Sequence, residues 1–155
     1  MIAFLDSSAL VKLFIQEAGS PELVALIGRL SRNQVAIASI TQIETRSVLQ
    51  RRLRNSLISQ SEFQYASDAV ALIARSWIEL PLSQAEKDQA LGVVARHALR
   101  SLDAIQLGSV LELRHASPPS EKVVFLASDQ RLLAAAIAEG LATWDPESGP
   151  PPVNF

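Results

Sequence analysis

Short apolar runs alternate along the chain with longer segments that have the spacing of amphipathic helices. Three of these runs are rich in β-branched or aromatic residues and short enough to be strands: IAFL at 2–5, VAIAS at 35–39 and VVFLA at 123–127. WIELPL at 77–82 and LATWD at 141–145 are weaker strand candidates, the former because it contains a proline. Strands that alternate with helices predict an α/β domain with a mainly parallel sheet.

The start of each predicted helix is marked by residues that favour a first turn. Ser20 precedes a proline and a glutamate, which predicts an N-cap with proline in the first turn. Three further segments have the spacing of a capping box: TQIE at 41–44, SQSE at 59–62 and SQAE at 83–86. The segment DQRLLAAAIAEG at 129–140 predicts a helix that ends on Gly140.

Length and composition predict one compact domain. A chain of 155 residues can bury roughly two thirds of the surface that its unfolded form exposes. Hydrophobic residues make up 48% of the chain and charged residues 19%, which predicts a well-filled interior. Residues 1–145 are predicted to form this domain, and the Pro/Gly-rich segment 146–155 is predicted to be a C-terminal tail.

The composition argues against membrane proteins, disulfide-stabilised proteins and proteins that coat nucleic acid. No run approaches the roughly 18 apolar residues that span a bilayer, and no export signal is visible, so we expect a soluble, cytoplasmic protein without membrane contact. The chain has no cysteine, which excludes disulfides and thiolate zinc sites. The net charge of -2 argues against a protein that coats nucleic acid by bulk electrostatics, but not against nucleic-acid chemistry at a local site.

Four acidic residues occupy positions where solvated surface charge is not expected. Asp6 and Asp129 each follow a predicted strand, so a parallel sheet would bring both to the same edge. Glu44 follows the VAIAS strand and opens the next helix near that edge. Asp103 lies in LRSLDAIQLGSVLEL, on a helical face that is otherwise apolar. The four carboxylates are therefore predicted to converge.

Converging carboxylates indicate a metal site. Burying an ionised carboxylate costs several kcal/mol unless it is paired or bound to a metal. Mg²⁺ favours carboxylate and water oxygens and often keeps positions open for substrate phosphate. Such a cluster suits phosphodiester hydrolysis, in which metal-bound water is activated and the charge that develops on the phosphate is neutralised.

Each of the four acids also has a plain structural interpretation. Asp6 and Asp129 could simply cap the helices that follow them. Glu44 could form a capping box with the threonine three residues earlier, and Asp103 could pair with Arg100 at helical spacing. Four separate coincidences at these positions explain the pattern less well than one shared site.

The segments that carry these acids resemble a known family. FLDSSALVKLFIQEAGS, ASITQIETRSVLQRR, LRSLDAIQLGSVLEL and VVFLASDQRLLAAAIAEG, in this order, resemble PIN-domain ribonucleases, specifically VapC-type toxins of type II toxin–antitoxin systems. The resemblance runs through nearly all of residues 1–145. It implies a PIN-like three-layer α/β/α sandwich and a metal-dependent endoribonuclease that cuts structured RNA such as tRNA or rRNA.

The resemblance also assigns roles to residues and implies partners. It implies that Asp6, Glu44, Asp103 and Asp129 form the catalytic site, with Asp6 and Asp103 as primary metal ligands and the other two supporting. Mg²⁺ is the implied cofactor, with Mn²⁺ able to replace it. A homodimer and an antitoxin that covers the acidic groove are the implied partners.

Residues around the acids are weaker candidates for contact with substrate. Ser128 matches a small hydroxyl residue that the family often places before its last acid, whereas Gln106 stands where relatives often have histidine, which predicts altered packing or substrate contact. Arg46 and Arg100 are candidate phosphate contacts, although a solvated helix surface explains any one arginine better. Lys12 could neutralise the acids, and a surface position explains it equally well. The other arginines near Glu44 and Asp103 have the same two interpretations: Arg51, Arg52, Arg54 and Arg96.

Two other functional classes remain open at this point. A catalytically silent domain of the same fold could use the groove only to bind a protein. An Asp-dependent phosphatase would use Asp6 as its nucleophile, but Ser8 stands where a second aspartate would be expected, and no lysine follows the VVFLA strand directly.

Overall fold

The computed structural model describes residues 1–152 and contains one five-stranded sheet. The strands are β1 (Ile2–Leu5), β2 (Val35–Ala38), β3 (Ile78–Leu80), β4 (Val123–Leu126) and β5 (Ala142–Trp144). Their order is β3-β2-β1-β4-β5, and every neighbouring pair is parallel. The predicted mainly parallel sheet is confirmed, and both weaker strand candidates form its edges.

Seven α-helices connect and cover the strands. They are α1 (Ser7–Leu10), α2 (Ser20–Ile27), α3 (Ser39–Arg54), α4 (Gln60–Ala74), α5 (Gln84–His97), α6 (Ser101–Ala116) and α7 (Gln130–Ala138). Three short 3₁₀ helices lie at Val11–Leu13, Arg32–Gln34 and Pro146–Ser148. No helix within residues 1–152 is long and apolar enough to cross a membrane.

Alternating side chains of the strands fill two separate cores, one on each face of the sheet. Phe4 and Phe125 are paired across β1 and β4 and pack with residues of α5, α6 and α7. Leu5 and Leu126, the next pair along, pack on the opposite face with α1 and α2. Successive residues of a strand point to opposite faces, so a strand buried on both faces reads as continuously apolar. The predicted three-layer α/β/α sandwich is confirmed.

The helix that carries Asp103 is held tightly against its neighbour. A Cβ atom at Gly108 of α6 would lie 2.7 Å from the backbone nitrogen of Ala90 in α5, so only glycine allows this approach. Eight residues of α6 are buried, among them Leu107 and Leu111. The close contact holds α6, which carries Asp103 in its first turn, against α5.

The predicted helix starts are partly confirmed. Ser59 and Ser83 both form capping boxes with the glutamates three residues later. The capping box predicted for residues 41–44 is wrong, because α3 begins at Ser39, directly after β2. Thr41 therefore lies inside the helix, where its buried hydroxyl is available to a tertiary partner.

Two glycines mark helix ends. The N-cap of α2 is Gly19, with φ of 81°, so the N-cap predicted at Ser20 is wrong by one residue. Ser20 is buried, and its hydroxyl donates to the carbonyl of Ile15. Gly140 follows the last helix with φ of 76°, a conformation that glycine adopts without strain, which confirms the predicted end.

The segment after β5 contacts the domain at the Gly19 turn. A Cβ atom at Gly19 would lie 2.5 Å from the carbonyl carbon of Pro146. The indole nitrogen of Trp144 donates to the carbonyl of Gly149 at 3.2 Å. Residues 146–149, in the predicted tail, thus pack against the body of the protein, and residues 153–155 of that tail lie outside the described residues.

Candidate active site

The four acids predicted to converge lie together where the carboxyl ends of the central strands meet the starts of helices. Asp6 follows β1 directly, and Asp129 follows β4 and precedes α7. Glu44 is in the second turn of α3, which begins where β2 ends, and Asp103 is in the first turn of α6. We call these four residues the acid edge.

Each side chain of the acid edge lies near enough to the next for their charges to interact. Burial raises the pKa of Asp6, Glu44 and Asp103, and the charge of an adjacent carboxylate raises each further. The adjacent carboxylate is Glu44 for Asp6 and Asp103 for Glu44. For Asp103 it is Asp129. The acid edge is therefore a continuous row of like charges, which favours a protonated group or a bound cation.

Asp6 is the most deeply buried member of the row. Its side-chain Oδ1 accepts hydrogen bonds from the Ser8 amide at 2.8 Å, the Ser8 hydroxyl at 2.6 Å and the Ala9 amide at 3.0 Å. Asp6 therefore caps α1, as its plain structural interpretation predicted. Burial raises its pKa to about 7 despite these donors. Within residues 1–152 no hydrogen bond is made by Oδ2, which remains available to a ligand.

Glu44 is held by an amide clamp. The Nε2 of Gln106 donates to Oε2 of Glu44, and the Oε1 of Gln106 accepts from the hydroxyl of Thr41 at 3.1 Å. Gln106 and Thr41 are both buried, so the amide has one orientation that satisfies both partners. The residue that departs from the family pattern thus orients an acid of the site.

Asp103 and Asp129 form the more exposed half of the row. Among the described residues Asp103 makes no salt bridge with Arg100, although Arg100 and Arg131 are near enough to oppose the burial that raises its pKa. Asp129 accepts from the amides of Arg131 at 2.9 Å and Leu132 at 3.0 Å, and so caps α7. Each of the two strand-end aspartates, Asp6 and Asp129, therefore caps a helix and also belongs to the acid edge.

A chain of hydroxyl groups joins the ends of three strands. The hydroxyl of Ser8 donates to Asp6 and accepts from the amide of Ser128 at 2.8 Å. The hydroxyl of Ser128 donates to Oδ1 of Asp145 at 3.0 Å. Ser128, predicted to contact substrate, therefore has its hydroxyl directed at Asp145. The chain links β1, β4 and β5 and fixes the spacing of Asp6 and Asp129.

Asp145 is a charged residue of this edge that the sequence analysis missed. It follows β5, its Oδ2 accepts from Gln130 at 2.7 Å, and its Oδ1 also accepts from the amide of Glu147. The rule that singled out Asp6 and Asp129, an aspartate after a strand, also applies to it. The rule was not applied to Asp145 because LATWD was only a weak strand candidate.

Lys12 does not neutralise the acid edge. Its ammonium group is buried and contacts Glu147 at 2.6 Å and Glu17 at 3.3 Å, and Glu17 also pairs with Arg52. We call these four residues the Lys12 cluster. Within residues 1–152 no lysine or arginine forms a salt bridge with any member of the acid edge.

The donor set suits a hard divalent cation that retains water. In the described part of the chain, no three acidic or histidine side chains come close enough together to hold a metal ion by themselves. Mg²⁺ is commonly held by one or two carboxylates and several waters, which matches a row of separated carboxylate oxygens. Asp6, with its unused Oδ2, and the half-buried Asp103 are the side chains best suited to direct contact.

The two candidate phosphate contacts differ in position. Arg100 is the N-cap residue of α6, three residues before Asp103, and its charge reaches that carboxylate. Arg46 is exposed on α3, two residues after Glu44, and two residues correspond to about 200° around a helix. The structure therefore places Arg100 beside the acid edge and Arg46 on a different face of α3.

Comparisons with known proteins agree with this architecture. The family described as PIN domain matches residues 3–141. The chain has no match among curated proteins. Among solved structures, it resembles FitAcB from Neisseria gonorrhoeae with a TM-score of 0.68 and 14% identity, covering 94% of this chain and 98% of that one.

Two further structures share the fold. VapC20 of Mycobacterium tuberculosis, described as a sarcin-ricin loop cleaving toxin, has a TM-score of 0.64 and 19% identity, over 86% of this chain and 94% of that one. A toxin–antitoxin complex from Klebsiella pneumoniae has a TM-score of 0.60 and 16% identity, over 85% and 90%. At these identities the likeness establishes a common fold.

Proposed function

The chain belongs to the PIN domain family, whose match covers residues 3–141, and on this premise we propose that it is a metal-dependent endoribonuclease and the toxin of a toxin–antitoxin pair. The observation that carries the proposal is the acid edge, a row of four carboxylates that form no salt bridge with a basic residue in residues 1–152. A fold that keeps such a row loses stability unless a ligand compensates the charge.

Each acid has a role that follows from its surroundings. Asp6 and Asp103 would hold the cation, because one has an unused oxygen and the other lies at the open side of the row. Glu44, fixed by Gln106, would ligate the cation or orient its water. Asp129 supports the outer end of the row. A bound Mg²⁺, or Mn²⁺ in its place, would lower the pKa of a bound water and neutralise charge on the phosphate.

The proposed substrate is structured RNA, such as tRNA or rRNA, and the proposed partners are an antitoxin and a second copy of the chain, in the cytoplasm. The family supports cleavage of nucleic acid, and one structure of the same fold is a toxin–antitoxin complex. Arg100, next to Asp103, is the better placed of the two candidate phosphate contacts.

The test is an RNA-cleavage assay with purified protein, with and without Mg²⁺, on total tRNA and rRNA. We expect Asp6→Ala and Asp103→Ala to lower the cleavage rate at least about 100-fold, as loss of a group that stabilises transition-state charge does. Asp68→Ala, at an exposed aspartate of α4, serves as the matched control and should cleave like the unmodified protein. Full cleavage by either acid-edge variant would refute the assignment.

A silent interaction module is the second candidate, because no three acids of residues 1–152 form a complete metal-binding group. Calorimetric titration with Mg²⁺ and Mn²⁺ separates the two candidates. A nuclease should bind the cation in a way that depends on Asp6 and Asp103. For a silent module, substitution of Asp6 or Asp103 should not change the binding of Mg²⁺ or Mn²⁺.

A further inference from the structure

A cavity lies beside Glu44, between α3 and the start of α6. It has a volume of about 440 Å³, and four of the eight residues that line it are apolar: Ile40, Ile43, Val48 and Leu102. Ile43 and Leu102 stand at its rim and are 71% and 46% exposed. Neither side chain belongs to a hydrophobic core cluster of residues 1–152. Exposed apolar side chains at the rim of a cavity indicate a binding site for a ligand.

One arginine of α3 shares this cavity with Glu44. Arg51 lies seven residues after Glu44, two turns along the same helical face, and it lines the cavity. Its Nη1 donates to the hydroxyl of Ser47 at 2.9 Å, which holds the guanidinium along that face. Arg52, by contrast, is already paired with Glu17. Arg51 is thus a cation beside the acid edge that has no carboxylate partner within residues 1–152.

The charge of α3 favours a polyanion as the occupant. The helix carries four arginines, and Glu44 is its one acidic residue. An apolar slot with a cation at its wall matches one unstacked nucleobase with its adjoining phosphate, because every base presents an apolar face and every nucleotide a negative charge.

We propose that this cavity is an RNA subsite in which one unstacked base contacts Ile43 and Leu102 while Arg51 contacts the adjoining phosphate. The inference rests on the proposed nuclease function and adds to it the element that positions the strand. It assigns the phosphate contact on α3 to Arg51, on the face of Glu44, and not to Arg46 on another face.

The test measures binding, so that its result does not depend on catalysis. The probe is a fluorescein-labelled single-stranded RNA on the order of 10 nucleotides, bound to Asp103→Asn protein with Mg²⁺ present. A second probe has the same backbone with abasic riboses. Fluorescence anisotropy across a salt series gives the affinity and the slope of log K against log salt concentration.

Arg51→Ala is expected to weaken binding about tenfold and to reduce the salt slope by about 0.7, the value for one phosphate contact to a single strand. Ile43→Ser should weaken the base-bearing probe several-fold and leave the abasic probe unchanged. Arg75→Ala, at an exposed arginine after α4, should change neither quantity.

Three results would overturn the subsite. An unchanged salt slope in Arg51→Ala would remove the phosphate contact, and a larger loss in Arg46→Ala would move it to the other face of α3. Equal affinity of both probes for the protein with an unmodified cavity would show that the cavity binds no base. The cavity would then be assigned to a protein segment. Absence of cleavage by the native protein, with these binding effects present, would instead refute the nuclease proposal alone.

Discussion

The acid edge and the Lys12 cluster are adjacent, and each contains one buried charged residue, Asp6 in the first and Lys12 in the second. One cavity of about 380 Å³ is lined by Lys12 and Arg52 of the cluster and also by Asp129 of the acid edge. In the Lys12 cluster two cations face two carboxylates, so the charges balance. In the acid edge four carboxylates adjoin one another, and burial and mutual repulsion raise the pKa of three.

This difference separates a group of charges that balances itself from one that the proposed function would use. The Lys12 cluster ties α3, the Glu17 turn and the segment after β5 together, and its ion pairs need no ligand. The acid edge stores unfavourable electrostatic energy, which a bound cation would relieve. If this contrast is correct, removing a charge should destabilise the first region and stabilise the second.

The largest expected effect is in the Lys12 cluster. Lys12→Met keeps the length of the side chain but leaves Glu17 and Glu147 without the buried ammonium group, whose side chain is only 3% exposed. We expect a loss of about 3 kcal/mol in the free energy of unfolding, measured by urea denaturation. Lys87→Met, at an exposed lysine of α5, is the matched control and should change little. Equal midpoints for both variants would contradict a structural role.

The next effect has the opposite sign and is in the acid edge. Asp6→Asn keeps an oxygen that can accept from Ser8 and Ala9, but it removes the buried charge. With EDTA present at pH 8, we expect the variant to be more stable than the unmodified protein by about 2 kcal/mol. The full shift of its pKa from 3.8 to about 7 would correspond to about 4 kcal/mol.

The pH dependence of that difference checks its cause. The pKa of Asp6 is higher in the folded state than in the unfolded state, so the folded state binds the proton more tightly. The stability that this provides is present below about pH 4 and is lost as the pH rises to about 7. The advantage of Asp6→Asn should therefore be near zero at pH 4 and complete above pH 7. A difference that does not vary with pH would point to packing instead.

A smaller effect is expected from the cation. Mg²⁺ at about ten times its dissociation constant should raise the stability of the unmodified protein by about 1.4 kcal/mol, because it binds only the folded state. The melting temperature of Asp6→Asn should not respond to Mg²⁺. An equal rise in both proteins would show that Mg²⁺ binds elsewhere.

The smallest effect concerns the hydroxyl chain between the strands. Ser8→Ala removes a donor to Asp6 and leaves the amide of Ser128 without its acceptor. We expect a loss of about 1 kcal/mol in stability, measured by thermal melting, and a weaker affinity for Mg²⁺ in calorimetry. Ser120→Ala, at an exposed serine, is the control. Unchanged Mg²⁺ affinity would mean that the chain does not position Asp6.

Local sequence signals were sufficient where neighbouring residues in the chain decide the structure. The strands at 2–5 and 123–126 and the capping boxes at Ser59 and Ser83 depend on such signals, and all were predicted. The signal at Thr41 failed because Gln106, 65 residues away, offers its hydroxyl a buried partner and β2 runs directly into α3. Tertiary contact outweighed local propensity there.

That the four acids lie near one another was predictable, because strand ends in a parallel sheet meet at one edge. Asp6 and Asp129 follow strands with strong signals, whereas Asp145 follows a short edge strand and was overlooked. The side-chain contacts that orient these acids could not be predicted from local sequence patterns. Gln106 reaches Glu44 and Ser8 reaches Ser128 across 62 and 120 residues, and no local pattern encodes those pairs.

The sequence by itself determined the order of strands and helices along the chain, the burial of the sheet and the positions of four acids at strand ends and helix starts, because periodicity and capping are short-range properties. Only the tertiary structure decided which charges are balanced. Lys12 follows Asp6 by six residues, yet its ammonium group is directed to Glu17 and Glu147. Whether a buried carboxylate is neutralised depends on groups brought close by folding. In the acid edge folding places carboxylates next to one another, and the two arginines near Asp103 form no salt bridge with it within residues 1–152.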